Sequence, residues 1–318
     1  MAAPIKQAVG NGVLLDSTRS LCPECRRVVD AQVLIRDGNI SIRKGCPNHG
    51  WHEALVSSDA DWYLNSLKYD KPGAVPHDFA TSVEQGCPFD CGLCPQHQQH
   101  TCVGVIDITS RCNLECPTCF ADSGLARSDP GHDLSLAQVE AILDRFLETE
   151  GQPEVVQISG GEPTIHPQVF DILAAAKARD IRHVMLNTNG LRLAQDAEFV
   201  RRLAHYEPTI YLQFDGLRAS THERLRGRDL RAVKEEALEH LAEAGLHAML
   251  VPTVVRGVNE DEIGDILRFG LSHPAVVGIN YQPVTFAGRC LNHRDPFNRI
   301  TLPDVLHALE AQTEALFQ

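Results

Sequence analysis

Seven cysteines fall between residues 87 and 119 of this 318-residue chain. Cys87, Cys91, Cys94 and Cys102 form one set with spacing C-x3-C-x2-C-x7-C, and Cys112, Cys116 and Cys119 form a second with spacing C-x3-C-x2-C. Thiols at this density need either disulfides or metal. Four thiolates complete a four-iron, four-sulfur (4Fe–4S) cluster, with tetrahedral zinc as the alternative. Three thiolates do not complete such a cluster, so one iron would stay open to a small molecule; a structural zinc using the three thiols is the competing reading. A third group, Cys22, Cys25 and Cys46 with His49 as the fourth ligand, has two short knuckles facing each other across a hairpin, which suits one zinc or one mononuclear iron. Cys290 stands apart and reads as a small buried hydrophobe.

Bulk properties narrow the choice. The formal net charge is −13, which disfavours a nucleic-acid partner, and 43% of residues are hydrophobic, enough for a real core. The first residues lack the apolar run of a signal peptide and no stretch is long and apolar enough to span a bilayer, so the expected location is cytoplasmic. Thiols stay reduced there, which favours metal over disulfides. Ten of the 11 cysteines precede residue 120, so the first third is metal-rich and the remainder is different in kind.

The elements that must hold these ligands follow from periodicity. Residues 1–68 read as a small metal-closed β module: alternating strands at 31–36 and 39–43 flank the turn signal Asp37-Gly38. Residues 69–102 are rich in Gly, Pro, His and Cys and read as loop organised by a cluster, with His97 and His100 orienting it by hydrogen bonds. Residues 103–318 alternate strand and helix. Val103–Thr109 is a buried strand; Ser135 and Gln138 cap a helix whose face carries Leu136, Val139, Ile142, Leu143, Phe146 and Leu147. Further strands are predicted near 154–158, 182–187, 209–214, 247–255 and 276–283, with helices near 168–179, 195–204, 231–244 and 260–270 and a last one from Pro303. Six such units predict an α/β fold, a partial (β/α)6 barrel. Active sites of parallel α/β folds sit at the strand C-termini. That rim collects the Cys112 loop, Gly160-Gly161-Glu162-Pro163, Asn187 and Asp215 from four successive strands. Glycines let backbone come close to a ligand, and Glu162 offers an anionic acceptor for an ammonium group. Arg224, Arg226, Arg228 and Arg231 form a basic run that reads as a solvated face or as a phosphate or lipid headgroup site.

The motif Cys112-Asn113-Leu114-Glu115-Cys116-Pro117-Thr118-Cys119 after the first strand, with Gly160-Gly161-Glu162 after the second, resembles the radical S-adenosylmethionine (SAM) family. The resemblance implies a 4Fe–4S cluster on the three cysteines, SAM chelated to its open iron, and one-electron cleavage of SAM to methionine and a 5′-deoxyadenosyl radical. It implies that Gly160, Gly161 and Glu162 meet the methionine amino group and that Asn187 and Asp215 contact ribose or methionine. The residue before the third cysteine is usually aromatic in that family and is Thr118 here, so Phe120 is the candidate adenine contact. An electron donor such as ferredoxin or flavodoxin is implied as partner.

The order of features is more specific. The Cys22/Cys25/Cys46/His49 ribbon, then Cys87 to Cys102, then the triplet resembles the group of archaeal tetraether lipid synthase, whose members were also described as pterin methylases. That resemblance implies an auxiliary 4Fe–4S cluster on Cys87, Cys91, Cys94 and Cys102, and C–C bond formation at unactivated carbons, foremost the joining of lipid tails, with peripheral membrane contact through the substrate. Methylation or alkylation of a pterin-like small molecule is the second reading; a small polar pocket would favour it over a long apolar tunnel. A third, of another class, is an iron–sulfur electron-transfer or metal-binding module that binds no SAM. The resembling group continues past residue 318 with further cysteines, so a truncated chain or a shorter relative is expected.

Overall fold

The computed structural model describes residues 7–9, 12–69, 73–86, 89–90, 94–95, 99–124, 133–290 and 295–314. Cys87, Cys91 and His97 lie outside the described residues. The elements run β1 (Gln7–Val9), β2 (Gly12–Leu21), β3 (Val28–Arg36), β4 (Asn39–Cys46), β5 (Gly50–Ser57), α1 (Ala60–Ser66), β6 (Val103–Asp107), α2 (Leu136–Glu150), β7 (Val155–Ser159), α3 (Val169–Lys177), β8 (His183–Thr188), α4 (Leu191–Gln195), α5 (Ala197–Leu203), β9 (Thr209–Gln213), α6 (Ala219–Arg226), α7 (Arg231–Glu243), β10 (Ala248–Val251), β11 (Thr253–Val254), α8 (Ile263–Ser272), β12 (Val276–Ile279), β13 (Gln282–Pro283) and α9 (Leu302–Thr313). They form two compact units, one within residues 1–72, 255–261 and 292–318, the other within 73–254 and 262–291.

The first unit is built on a five-stranded antiparallel sheet in the order β1-β2-β3-β4-β5. The predicted turn is there: Asp37 and Gly38 take φ of 50° and 76°, the two-residue geometry whose twist matches the flanking strands, and Arg36 pairs with Asn39. Leu34 and Ile40 are fully buried under it. The units do not divide at residue 103: the first also takes residues 255–261 and 292–318, and the second begins at 73. Helix α9 belongs to this unit and not to the barrel. Thr301 caps it with Asp304 and bonds Ser58 Oγ at 2.9 Å, Arg256 reaches Asp304 at 3.0 Å, and Leu55 N–H donates to Pro296 O at 3.2 Å.

The second unit holds six parallel strands in the order β6-β7-β8-β9-β10-β12. Strand order follows chain order, so right-handed crossovers place every helix on one face. That face carries the core: Ile106, Val156, Ile158, Val184, Leu186, Ile210, Leu212, Ala248 and Leu250 meet Val139, Leu143, Ile172, Leu173, Leu238 and Leu241. Each Val, Leu or Ile among them contributes roughly 1.5–3 kcal/mol by leaving water. Alternation sends Gln157, Asn187, Tyr211 and Gln213 to the other face, which a partial barrel encloses. The capping box of Ser135 and Gln138 starts α2 as read from sequence. The long strands predicted at 247–255 and 276–283 are each broken in two. Pro252 has no N–H for the ladder, its carbonyl accepts from Gln282 N at 2.9 Å, and β11 leaves the main sheet to pair with β13.

Candidate functional site

The C-terminal rim of the six strands surrounds a cavity of about 650 Å³. Cys112, Cys116, Cys119, Phe120, Gly160, Gly161 and Asn187 all line it, as sequence reasoning placed them. The cysteine loop hangs on the turn after β7. Gly161 N–H donates to Thr109 O at 2.8 Å and Glu162 N–H to Arg111 O at 2.9 Å. A Cβ at Gly160 would lie 2.3 Å from Thr109 O, and one at Gly161 2.3 Å from Arg111 O. The glycines are therefore required first by backbone meeting backbone: they lock the second strand's turn against the first strand's.

Two predicted ligand contacts sit behind the cavity wall. Glu162 is 1% exposed, and its carboxylate accepts from Thr164 N–H, Thr164 Oγ1, Thr188 Oγ1 and Asn189 N–H at 2.6–3.1 Å. Burial pushes its carboxyl up, against these donors. It ties the turns after β7 and β8 together. Asp215 is fully buried and grips Arg226 bidentately at 2.6 and 2.7 Å, while Gln213 Nε2 donates to it at 2.7 Å. Arg226 belongs to the basic run whose sequence suggests a solvated face or an anion site. In the structure its side chain is buried, donates to Thr118 O at 3.1 Å and lines the cavity beside Cys116. Arg231 pairs instead with Asp229 at the surface.

A clamp that no local signal announces closes the other side of the cysteine loop. Cys119 and Arg289 exchange backbone hydrogen bonds at 2.6 and 2.9 Å, and the Arg289 guanidinium donates to Cys116 O, Ser123 O and Asp122 Oδ1. Gly288, with φ 61°, leaves no room for a Cβ, which would stand 2.2 Å from Phe120 O. Phe120 itself is 75% exposed at the cavity mouth.

The donor chemistry fits an iron–sulfur cluster. Burial drives the Cys112 thiol up to about 12 and raises Cys116 as well, against the nearby Arg226, so thiolates form there only beside further positive charge. Ser110 Oγ and Thr118 Oγ1, flanking the ligands, are buried with no hydrogen-bond partner among the described residues. Such orphaned groups mark where another molecule supplies the partner.

Sequence comparison agrees. Residues 106–270, more than half the chain, match the model of the radical SAM superfamily. The chain belongs to the radical SAM superfamily. Its members are enzymes that use SAM and iron–sulfur clusters. Residues 14–58 match the HMPTM N-terminal zinc ribbon domain. A 7,8-dihydro-6-hydroxymethylpterin dimethyltransferase of Methanocaldococcus jannaschii is 37% identical over 300 residues, 93% of this chain and 58% of that protein. The mycofactocin maturase MftC of Mycobacterium ulcerans is 33% identical over 54% of this chain and 45% of its own length. A GTP 3′,8-cyclase of Listeria monocytogenes is 30% identical over 58% of this chain and 55% of its own. The chain thus spans about half the length of the curated relatives it matches. In fold, Streptococcus suis SuiB bound to SAM superposes with a TM-score of 0.52 and 21% identity, over 68% of this chain and 47% of that one.

The ribbon carries its own candidate metal centre. The ligand atoms of Cys22, Cys25, Cys46 and His49 all lie within 4.8 Å of one another. Burial opposes ionisation of Cys22, yet the N–H groups of Cys25 and Glu24 outweigh it and bring its thiol down to about 6; the Asn48 N–H likewise lowers Cys46. Of the proposed auxiliary set, Cys94 and Cys102 are described, and Cys102 is exposed with His100 Nε2 at 3.4 Å. His100 also meets Glu150 at 3.3 Å, the loop-orienting part expected of it. Among the described residues no helix is long and apolar enough to cross a membrane.

Proposed function

We propose that this radical SAM enzyme alkylates a carbon of a pterin-like heterocycle, methylation being the leading case. The observation that carries the reading is a set of polar side chains set among apolar ones on the cavity wall. Tyr211, Gln213, Asn187 and Gln282 line the same cavity as the three cysteines. These groups suit a small ring bearing donors and acceptors. The pterin dimethyltransferase similarity, extending over 93% of the chain, supports the same choice. Lipid-tail coupling with peripheral membrane contact, foremost from sequence, is the second reading: Leu114, Val251, Pro283 and Val284 make part of the same wall apolar.

In this reading Cys112, Cys116 and Cys119 hold a 4Fe–4S cluster with one open iron. When bound, cluster and SAM supply one-electron cleavage to the 5′-deoxyadenosyl radical. The chain's own part is positional. The Gly160–Glu162 turn and the Arg289 clamp fix the ligand loop from two sides, Asn187 faces SAM, and Phe120 covers the mouth against water. Zinc is assigned to Cys22, Cys25, Cys46 and His49, consistent with the zinc ribbon match. A second 4Fe–4S cluster is assigned to Cys87, Cys91, Cys94 and Cys102, and a ferredoxin or flavodoxin is the electron donor.

The test is anaerobic reconstitution followed by SAM and dithionite, with 5′-deoxyadenosine quantified in the presence of 7,8-dihydro-6-hydroxymethylpterin or a lipid extract. Cys112→Ala is the control. Nucleoside formation that depends on Cys112 and rises with the pterin is expected. Stimulation by lipid and none by pterin would overturn the substrate class.

A further inference from the structure

Tyr211 lies at the centre of β9, is 8% exposed, and faces the cavity shared by Cys112, Cys116 and Cys119. Its hydroxyl oxygen accepts from Asn280 Nδ2 and from Gln282 Nε2, the latter at 2.7 Å. A phenol oxygen has two lone pairs and one hydrogen. Two amide N–H groups occupy the lone pairs, so the O–H hydrogen is the capacity left over. Among the described residues no acceptor receives it. Burial raises the phenol's pKa, against the two amides, so the group stays a donor throughout the neutral range. The oxygen of the same Gln282 carboxamide is likewise without a partner among the described residues and belongs to a residue that lines the cavity. A fixed donor beside an acceptor is the complement of a lactam edge, where a ring carbonyl sits next to a ring N–H.

We infer that the Tyr211 hydroxyl, held by Asn280 and Gln282, is the specificity-determining donor to a lactam carbonyl on the substrate ring, with the Gln282 carboxamide oxygen taking the adjacent ring N–H. The inference rests on the heterocycle reading above and sharpens it: the enzyme selects rings by this edge and rejects rings without it. A site built to hydrogen-bond a polar group penalises the analogue lacking that group, because its own buried donor is then left unpaired. Asn280 acts through Tyr211 and is a positioning residue; Gln282 both anchors Tyr211 and meets the ring. They follow β12, and Tyr211 lies on β9 about 70 residues earlier (69 and 71 positions apart), so only the closing of the sheet brings them together.

The experiment is equilibrium dialysis of the reconstituted protein with SAM against two probes, 7,8-dihydro-6-hydroxymethylpterin and the analogue lacking the ring carbonyl oxygen. Wild type should prefer the carbonyl-bearing probe. Tyr211→Phe keeps the ring and loses only the hydroxyl, and should weaken that probe about tenfold while leaving the analogue's affinity unchanged. Gln282→Leu, at an exposed position, removes one anchor of Tyr211 together with the ring acceptor and should weaken the same probe at least about threefold. Wild type binding neither probe would overturn the heterocycle reading, and this inference with it. Wild type binding the pterin, with both variants binding it equally well, would overturn this inference alone.

Discussion

Lys234 offers a test of how the rim is held together. It projects from α7 into the core, is 1% exposed, and donates through Nζ to Asn189 O at 2.6 Å, with Gln213 Oε1 at 3.5 Å. Burial brings its pKa from the ordinary 10.5 down to about 8, against the attraction of Asp215. At about 1.4 kcal/mol per unit, holding the charged form there costs about 3 kcal/mol at neutral pH. The folded pKa lies below the unfolded one, so between pH 8 and 10.5 the unfolded chain binds more protons. The Lys234 contribution to stability therefore rises with pH through that window and is lost as pH falls to 8. Lys234→Met keeps the length and removes the charge, but strips Asn189 O of its donor, a cost of about 1–3 kcal/mol. The two effects nearly cancel at pH 7, leaving the variant equal to wild type or up to about 2 kcal/mol more stable. At pH 10 neutral lysine still donates, so wild type should have gained about 2.5 kcal/mol relative to the variant. Cysteines and tyrosines that titrate in alkali do so in both proteins and drop out of the difference. Urea unfolding followed by far-UV circular dichroism is the assay, because both tryptophans, Trp51 and Trp62, lie in the first unit. A wild-type minus variant difference that stays constant from pH 7 to pH 10 would refute the assignment of a charged, buried Lys234.

Two further outcomes follow from the site geometry. Gly161→Ala drives a Cβ against Arg111 O at 2.3 Å, so the turn must part from the cysteine loop; we expect a loss of about 3 kcal/mol in stability and reduced iron retention, read by denaturation and iron assay, and an unchanged iron content would argue against the locking role. In the ribbon, a chelator or Cys46→Ser should release the metal and lower the melting temperature seen by tryptophan fluorescence. Because the Cys22 thiol titrates near 6, metal affinity should fall at least about tenfold per pH unit below that value, and a flat profile down to pH 5 would refute the ligand set.

The features legible from the residues alone are local ones. The cysteine spacings, the Gly160-Gly161-Glu162 turn, the Asp37-Gly38 hairpin and the period-2 and period-3.6 patterns each depend on residues a few positions apart. That the strands run parallel follows from their alternation with helices, and the loops after them, the cysteines included, then share one rim. The tertiary structure decided the rest, because the partners are distant and carry no local mark. Arg289 reaches Cys116 O across 173 positions, and nothing near either residue announces it. Asp215 and Glu162 also gain distant buried partners on folding, Arg226 for one and Thr188 and Asn189 for the other, which no local pattern marks. Helix α9 has the pattern of a sixth barrel helix and packs instead with the ribbon strands, since a repeating pattern specifies that a face is buried but not against what. The Tyr211 cluster exists only because Pro252 breaks one strand and the chain after β12 turns back toward β9, a choice made by backbone hydrogen bonding over the whole sheet.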